Sequence, residues 1–128
     1  MRAPHRTAIM ASERAEENKF VFRRAAAALA SRDFELAARL YKGLLKNDPE
    51  NRDVLFALGD VYVKSGDDAR ALPYYEKINK IDPNDAASLI ASGGIYRRLG
   101  RYDDALRSLR AALSAGGDTT AIQYNLGF

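Results

Sequence analysis

A single repeat interval constrains this chain more than any other feature. Gly59, Gly93 and Gly127 are evenly spaced, and the same interval separates Tyr62 from Tyr96, Gly66 from Gly100, Ala71 from Ala105, and Pro49 from Pro83. A fixed period of about 34 residues, with one helical hairpin per period, signals a solenoid rather than a globular bundle. The stretch from Leu58 to Pro83 shows the unit best. Leu55, Leu58, Gly59 and Tyr62 recur at three- and four-residue steps, which places them on one helical face, and Ala71, Tyr75 and Ile78 do the same. Gly66 suits the left-handed residue that ends the first helix, and Asp67 suits the cap of the second. Neither helix can bury its stripe alone, so the unit needs a neighbour.

The rest of the chain reads in the same register. Residues 1–11 are expected to form a flexible tail, with Met10 a plausible alternative start and His5 solvated within it. Ser12 is a candidate cap for a helix running to Ser31, with Glu13, Glu16 and Glu17 favourable in its first turn. Arg32-Asp33-Phe34 stands where later units have a Gly-centred turn, and the paired helix ends before Pro49. A second unit starts near Asp53, with Pro73 expected to bend its second helix mildly. A third starts at Asn84 or Asp85 and closes on Gly116-Gly117 instead of Asp-Pro. Residues 119–128 begin a fourth unit and stop within its first helix.

Composition bounds the chemistry. With 47% hydrophobic and 29% charged residues the chain is compositionally a folded one, and its length suits one domain. No cysteine is present, which excludes a disulfide framework, a thiolate metal site and a cysteine nucleophile. The net charge of +3 comes from residues 1–51, with ten Lys or Arg against seven acids, and is too small to predict nucleic-acid binding. No run approaches the length of a bilayer span and no signal peptide is evident, so a cytoplasmic location and no membrane partner are the expectations.

The repeated residues resemble the tetratricopeptide repeat. Leu55, Leu58, Gly59, Tyr62, Ala71, Tyr75, Ile78 and Pro83 match its pattern in the unit at 52–85. Leu89, Gly93, Tyr96, Ala105, Leu109 and Ala112 match in the unit at 86–119. Val21, Ala25, Ala28, Ala37, Tyr41, Leu44 and Pro49 match in the unit at 18–51, and Leu126 and Gly127 in a partial fourth at 120–128. The resemblance implies an all-α fold: a right-handed superhelical solenoid of antiparallel helix pairs over about 12–128. It also implies a concave groove that takes a peptide segment of a partner protein.

Mapping the family's groove positions onto this sequence gives an apolar ladder of Phe22, Phe56, Ile90 and Tyr124, each of which is open to core packing as well. The next groove position holds Ala26, Asp60, Gly94 and Phe128, and a cationic edge falls at Lys64, Arg97 and Arg98 toward the C-terminal half. The last-turn position of those three cations favours them with or without a ligand. The implied ligand is a peptide with apolar anchors and some acidic residues. The family's carboxylate clamp is absent, since Phe22, Ala26, Ala57, Ala87 and Ala91 cannot hold a carboxylate by charge-assisted hydrogen bonds.

No catalytic constellation presents itself. Asp67-Asp68 and Asp103-Asp104 are explained by helix starts, and Gly93-Gly94 lacks the spacing of a phosphate-binding loop. The reading is therefore a non-enzymatic adaptor or assembly factor with no cofactor. The alternative is self-association through the C-terminal edge, or a piece of a longer array. Electrostatic binding of nucleic acid through Arg97, Arg98, Arg101, Arg107 and Arg110 is not expected.

Overall fold

The computed structural model describes the backbone of residues 2–127 and the side chains of residues 10–127. Among the described residues there are seven helices: α1 (Arg2–Ala30), α2 (Phe34–Asn47), α3 (Arg52–Lys64), α4 (Asp68–Ile81), α5 (Ala86–Arg98), α6 (Tyr102–Ser114) and α7 (Thr119–Leu126). Consecutive helices pair as antiparallel hairpins, α1 with α2, α3 with α4 and α5 with α6, and each hairpin stacks on the next. The chain is an all-α solenoid of three units with the first helix of a fourth.

One expectation fails at the start of the chain. The expected tail and Ser12 cap are replaced by a single 29-residue helix that begins at Arg2. Pro4 lies in its first turn, where a missing N–H breaks no intrahelical bond, and Ala3, Ala8 and Ala11 favour continuation. Ser12 is thus an interior residue of α1. The solvated reading of His5 and the groove position given to Phe128 lie outside the described side chains.

The turns follow from local chemistry. Gly66, Gly100 and Gly116 adopt φ values of 86°, 79° and 81°, the left-handed region that terminates α3, α5 and α6. In the first unit Arg32 takes that place at φ 62°, the one non-glycine in this region among the described residues. Asp33, Asn51, Asp67, Asp85 and Asp118 then cap the following helices, each accepting a backbone N–H two or three residues on. Arg101, which has no acceptor, leaves α6 without a side-chain cap. Helix α4 runs unbroken through Pro73.

The core repeats one contact. A small residue on the first helix faces a large one sixteen positions later on the second. An ideal Cβ at Gly59 would lie 2.6 Å from Cζ of Tyr75, and one at Gly93 would lie 2.8 Å from Cγ of Leu109. Ala25 and Tyr41 hold the same two positions in the first unit, and both are buried. Around these pairs Leu55, Leu58, Val61, Ala71 and Ile78 form one continuous apolar core from α1 to the α5–α6 hairpin. A smaller cluster of Leu89, Leu109, Ala112 and Ile122 seats α7.

Two ion-paired clamps join the second and third units. Arg52, at the start of α3, reaches Asp82 at 2.8 Å and Asp85 at 3.3 Å. Arg98, at the end of α5, grips Asp68 with two hydrogen bonds of 2.7 and 3.0 Å.

Candidate functional site

The first helices α1 and α3 stand side by side and leave a cleft of about 560 Å³ between them. Phe22 and Phe56 form its apolar wall, with Leu44, Val54 and Ala57 behind them. Each phenylalanine is half-buried because it packs edge-on against the second-helix tyrosine of its own unit. Phe22 lies 5.3 Å from Tyr41 and Phe56 lies 5.2 Å from Tyr75, centroid to centroid. Phe22 and Phe56 thus pack against the core and line the cleft as well.

Asp60 closes one end of the cleft. Its Oδ1 accepts a 2.6 Å hydrogen bond from the Tyr75 hydroxyl. Burial, and then this carboxylate, push the Tyr75 phenol far above its ordinary value, so it stays a neutral donor. Tyr41 is raised for the same reasons, burial first and Asp60 second. Asp48 and Asp53 join Asp60 at the rim against one cation, Lys19. The cleft is therefore apolar with an acidic rim, and the cationic positions expected toward the C-terminal half, Lys64, Arg97 and Arg98, do not line it. Asp53 and Phe56 also line a smaller hollow of about 260 Å³ toward Asp85 and Ala87, so the concave surface continues past α3.

The remaining groove candidates are placed elsewhere. Ile90 is half-buried, with its Cδ1 3.2 Å from where a Cβ on Gly117 would stand. Gly94 is not open floor, because an ideal Cβ there would lie 3.0 Å from Asn125 Oδ1 on α7. Lys64 is exposed at the end of α3 and lines neither hollow. Arg98 is committed to Asp68, whose carboxyl it holds below the usual carboxylate range, while Asp68 raises the guanidinium in turn. Arg97 lies beneath α7, with its Nε buried and unpartnered, its Nη2 donating to Asn125 Oδ1 at 3.4 Å and its Cζ 5.9 Å from the Tyr124 ring. Tyr124 itself is 75% exposed. Of these three cations Arg98 is ion-paired, Arg97 is half-buried under α7 and Lys64 is exposed, and none lines the cleft between α1 and α3. Long side chains at a helix end find carboxylates and amides of a neighbouring unit, far off along the chain, which a repeat register does not reveal.

Asn18, Lys19, Asp48, Asn51 and Asp53 also line the cleft, and the sequence analysis did not single them out. Lys19 and Asp53 stand one period apart at the second position of their units, so the period itself held the signal for those two. Among the described residues no cluster of His, Asp or Glu is arranged to hold a metal ion, and no helix is long and apolar enough to cross a membrane.

Two tetratricopeptide repeat family models match the chain, over residues 22–86 and over residues 69–127. The CTR9 homolog of Arabidopsis thaliana is 32% identical over 85 residues, which is 65% of this chain and 8% of that protein. The Sgt2 TPR domain from Aspergillus fumigatus has a similar structure, with a TM-score of 0.77 at 23% identity over 86% of this chain and 74% of that one. The MamA protein gives a TM-score of 0.81 at 25% identity, over 88% of this chain and 62% of that one. The chain spans between 7% and 18% of the length of the curated relatives it matches. The small-against-large pairing, the glycine turns and the match over residues 22–86 agree, and the chain belongs to the tetratricopeptide repeat family.

Proposed function

We propose that this chain is a non-enzymatic interaction module that holds a peptide segment of a partner protein in its concave cleft. The tetratricopeptide fold is in general one of protein–protein interaction. The observation that carries the finer reading is the pairing of Phe22 and Phe56 across one cleft with Asp48, Asp53 and Asp60 at its rim. Such a surface complements a segment with apolar anchors flanked by Lys or Arg. Titration calorimetry with a short leucine-containing, lysine-flanked peptide tests it. Asp53→Lys, on an exposed carboxylate, is expected to weaken binding about tenfold by placing like charge at the rim. Phe22→Ser with Phe56→Ser is expected to abolish it while the far-ultraviolet circular dichroism stays helical. Unchanged affinity in both folded variants overturns the reading.

A second reading has a specific observation behind it. Leu106 is 37% exposed although Leu72, its counterpart one period earlier, is 6% exposed. Together with Tyr102, Leu126 and the guanidinium of Arg97 it lines a hollow of about 340 Å³ beside α7. A continuous apolar edge of this kind supports pairing with another molecule of the chain. Light scattering that gives a monomer mass at high concentration removes this reading.

A further inference from the structure

The outer face of α2 borders a second cleft, of about 610 Å³, which shares no residue with the concave one. Its floor is apolar: Ala38 from α2, with Val61 and Tyr62 from the end of α3, all buried. Its rim is cationic, with Arg39, Lys42 and Lys46 from α2 and Arg70 from α4. Two carboxylates share that rim. Asp67 is already engaged, accepting the Arg70 N–H as the cap of α4 and lying 3.6 Å from Arg70 Nε. Glu35 is the other.

Among the described residues Arg39, Lys42 and Lys46 enter no ion pair, and although other cations such as Lys64, Lys77 and Lys80 enter none either, these three stand together around one cleft. Lys46 sits in the last turn of α2, where the helix carbonyls favour it. Arg39 is mid-helix and has no such explanation; Lys42, also mid-helix, stands over the Tyr62 ring, and it and Lys46 repel along one face at four-residue spacing. The fold does not demand the cluster either, because one period on Pro73 and Glu76 replace Arg39 and Lys42.

We propose that this outer cleft docks an acidic segment of a partner protein. One apolar side chain of the segment rests against the half-buried Phe34 and the Ala38 methyl, and its carboxylates meet Arg39, Lys42 and Lys46. Charge complementarity selects the sign of the partner. The Tyr62 ring decides its class. Tyr74 stacks on it at 5.8 Å, and Lys42 Nζ and Arg70 Cζ stand 5.6 and 5.4 Å from its centroid. With the ring so covered it offers no platform for a nucleic-acid base, which removes the stacking that single-stranded nucleic acid relies on. A peptide uses both the cations and the apolar floor.

Fluorescence anisotropy on the full chain tests this with a labelled peptide of glutamates and aspartates around one central phenylalanine. Run in parallel are the same peptide with serine at the centre, an oligouridine RNA and phosphatidylserine vesicles. The expected result is binding that weakens with salt. It falls about tenfold with Arg39→Glu and with Lys42→Glu, falls again when the central phenylalanine is serine, and is unchanged by Asp53→Lys in the concave cleft. Should a charge reversal disturb folding, Lys42→Gln with Lys46→Gln removes the charges without reversing them and is expected to flatten the salt dependence. The proposal is overturned by no binding to the unmodified chain, or by binding indifferent to the α2 substitutions. Tighter capture of the RNA or the vesicles overturns it, and so does self-association that Lys42→Glu abolishes. Loss of binding with Asp53→Lys also overturns it, by moving the contact to the concave face.

Discussion

Gly59 and Tyr75 approach so closely that the glycine's missing side chain is the space the tyrosine ring fills. An added Cβ would meet Cζ, Cε1 and Cε2 of that ring at 2.6 to 2.9 Å. The ring cannot swing aside, because its hydroxyl is held by Asp60 and its face by Phe56. Gly59→Ala is expected to cost about 1–3 kcal/mol by overpacking. Gly93→Ala meets Cγ and Cδ2 of Leu109 at 2.8 Å, a slightly longer approach to an aliphatic side chain that no hydrogen bond holds, and is expected to cost less. Urea unfolding of the two variants gives the order directly, and equal losses would contradict it. Ala71, fully buried, behaves like Gly59, and Ala71→Leu is expected to cost about 1–3 kcal/mol in the same assay.

Arg32 carries a strain that the later units avoid. Its φ of 62° costs a side-chain-bearing residue about 1–2 kcal/mol, which Gly66 and Gly100 do not incur. Its guanidinium recovers part of that by standing 5.1 Å from the Phe34 ring centroid. Arg32→Gly is expected to stabilise the chain by about 0.5–1 kcal/mol, read as a raised urea midpoint with an unchanged slope.

The Asp68–Arg98 clamp makes stability depend on acid pH. The guanidinium holds the Asp68 carboxyl below its ordinary 3.8 in the folded chain. A depressed folded value contributes stability that is present above the unfolded value and lost as pH falls through the folded one. Asp68→Asn is therefore expected to flatten the decline below about pH 4 and, at neutral pH, to cost about 1 kcal/mol or less, since Arg98 is partly in solvent. Unfolding midpoints across an acid series decide it.

Tyr96 acts at the other end of the scale. Burial first, and then its 2.6 Å hydrogen bond to Glu76 Oε2, push its phenol up to about 12. A raised folded value contributes stability that is complete below the unfolded value near 10 and is lost as pH climbs through the folded one. Stability is expected to fall between about pH 10 and 12, and Tyr96→Phe to remove part of that fall; a profile unchanged by Tyr96→Phe argues against this.

What the sequence disclosed divides along a physical line. The hairpins, the glycine turns and the cap at Asp67 depend on residues within a few positions of one another, and the period repeats them, so they were legible. The continuation of α1 back to Arg2 was not, because a tolerated Pro4 in a first turn looks like a break. Arg98 looked free because its partner Asp68 lies far back along the chain, in the preceding unit. Phe22 and Phe56 were identified as a ladder, yet the polar groups around them come partly from the α2–α3 loop, at Asp48 and Asn51, which no helical stripe announces.

The clamps are distributed unevenly, and this sets how the rod deforms. Arg52 and Arg98 rivet the second unit to the third, while among the described residues no ion pair crosses from the first unit to the second. That joint relies on nondirectional apolar contact and on Lys42 over Tyr62. Nondirectional contacts tolerate a slight rolling that a bidentate ion pair resists. The two joints are therefore held by different means, and added salt is expected to loosen the second, with its partly exposed ion pairs, more than the first.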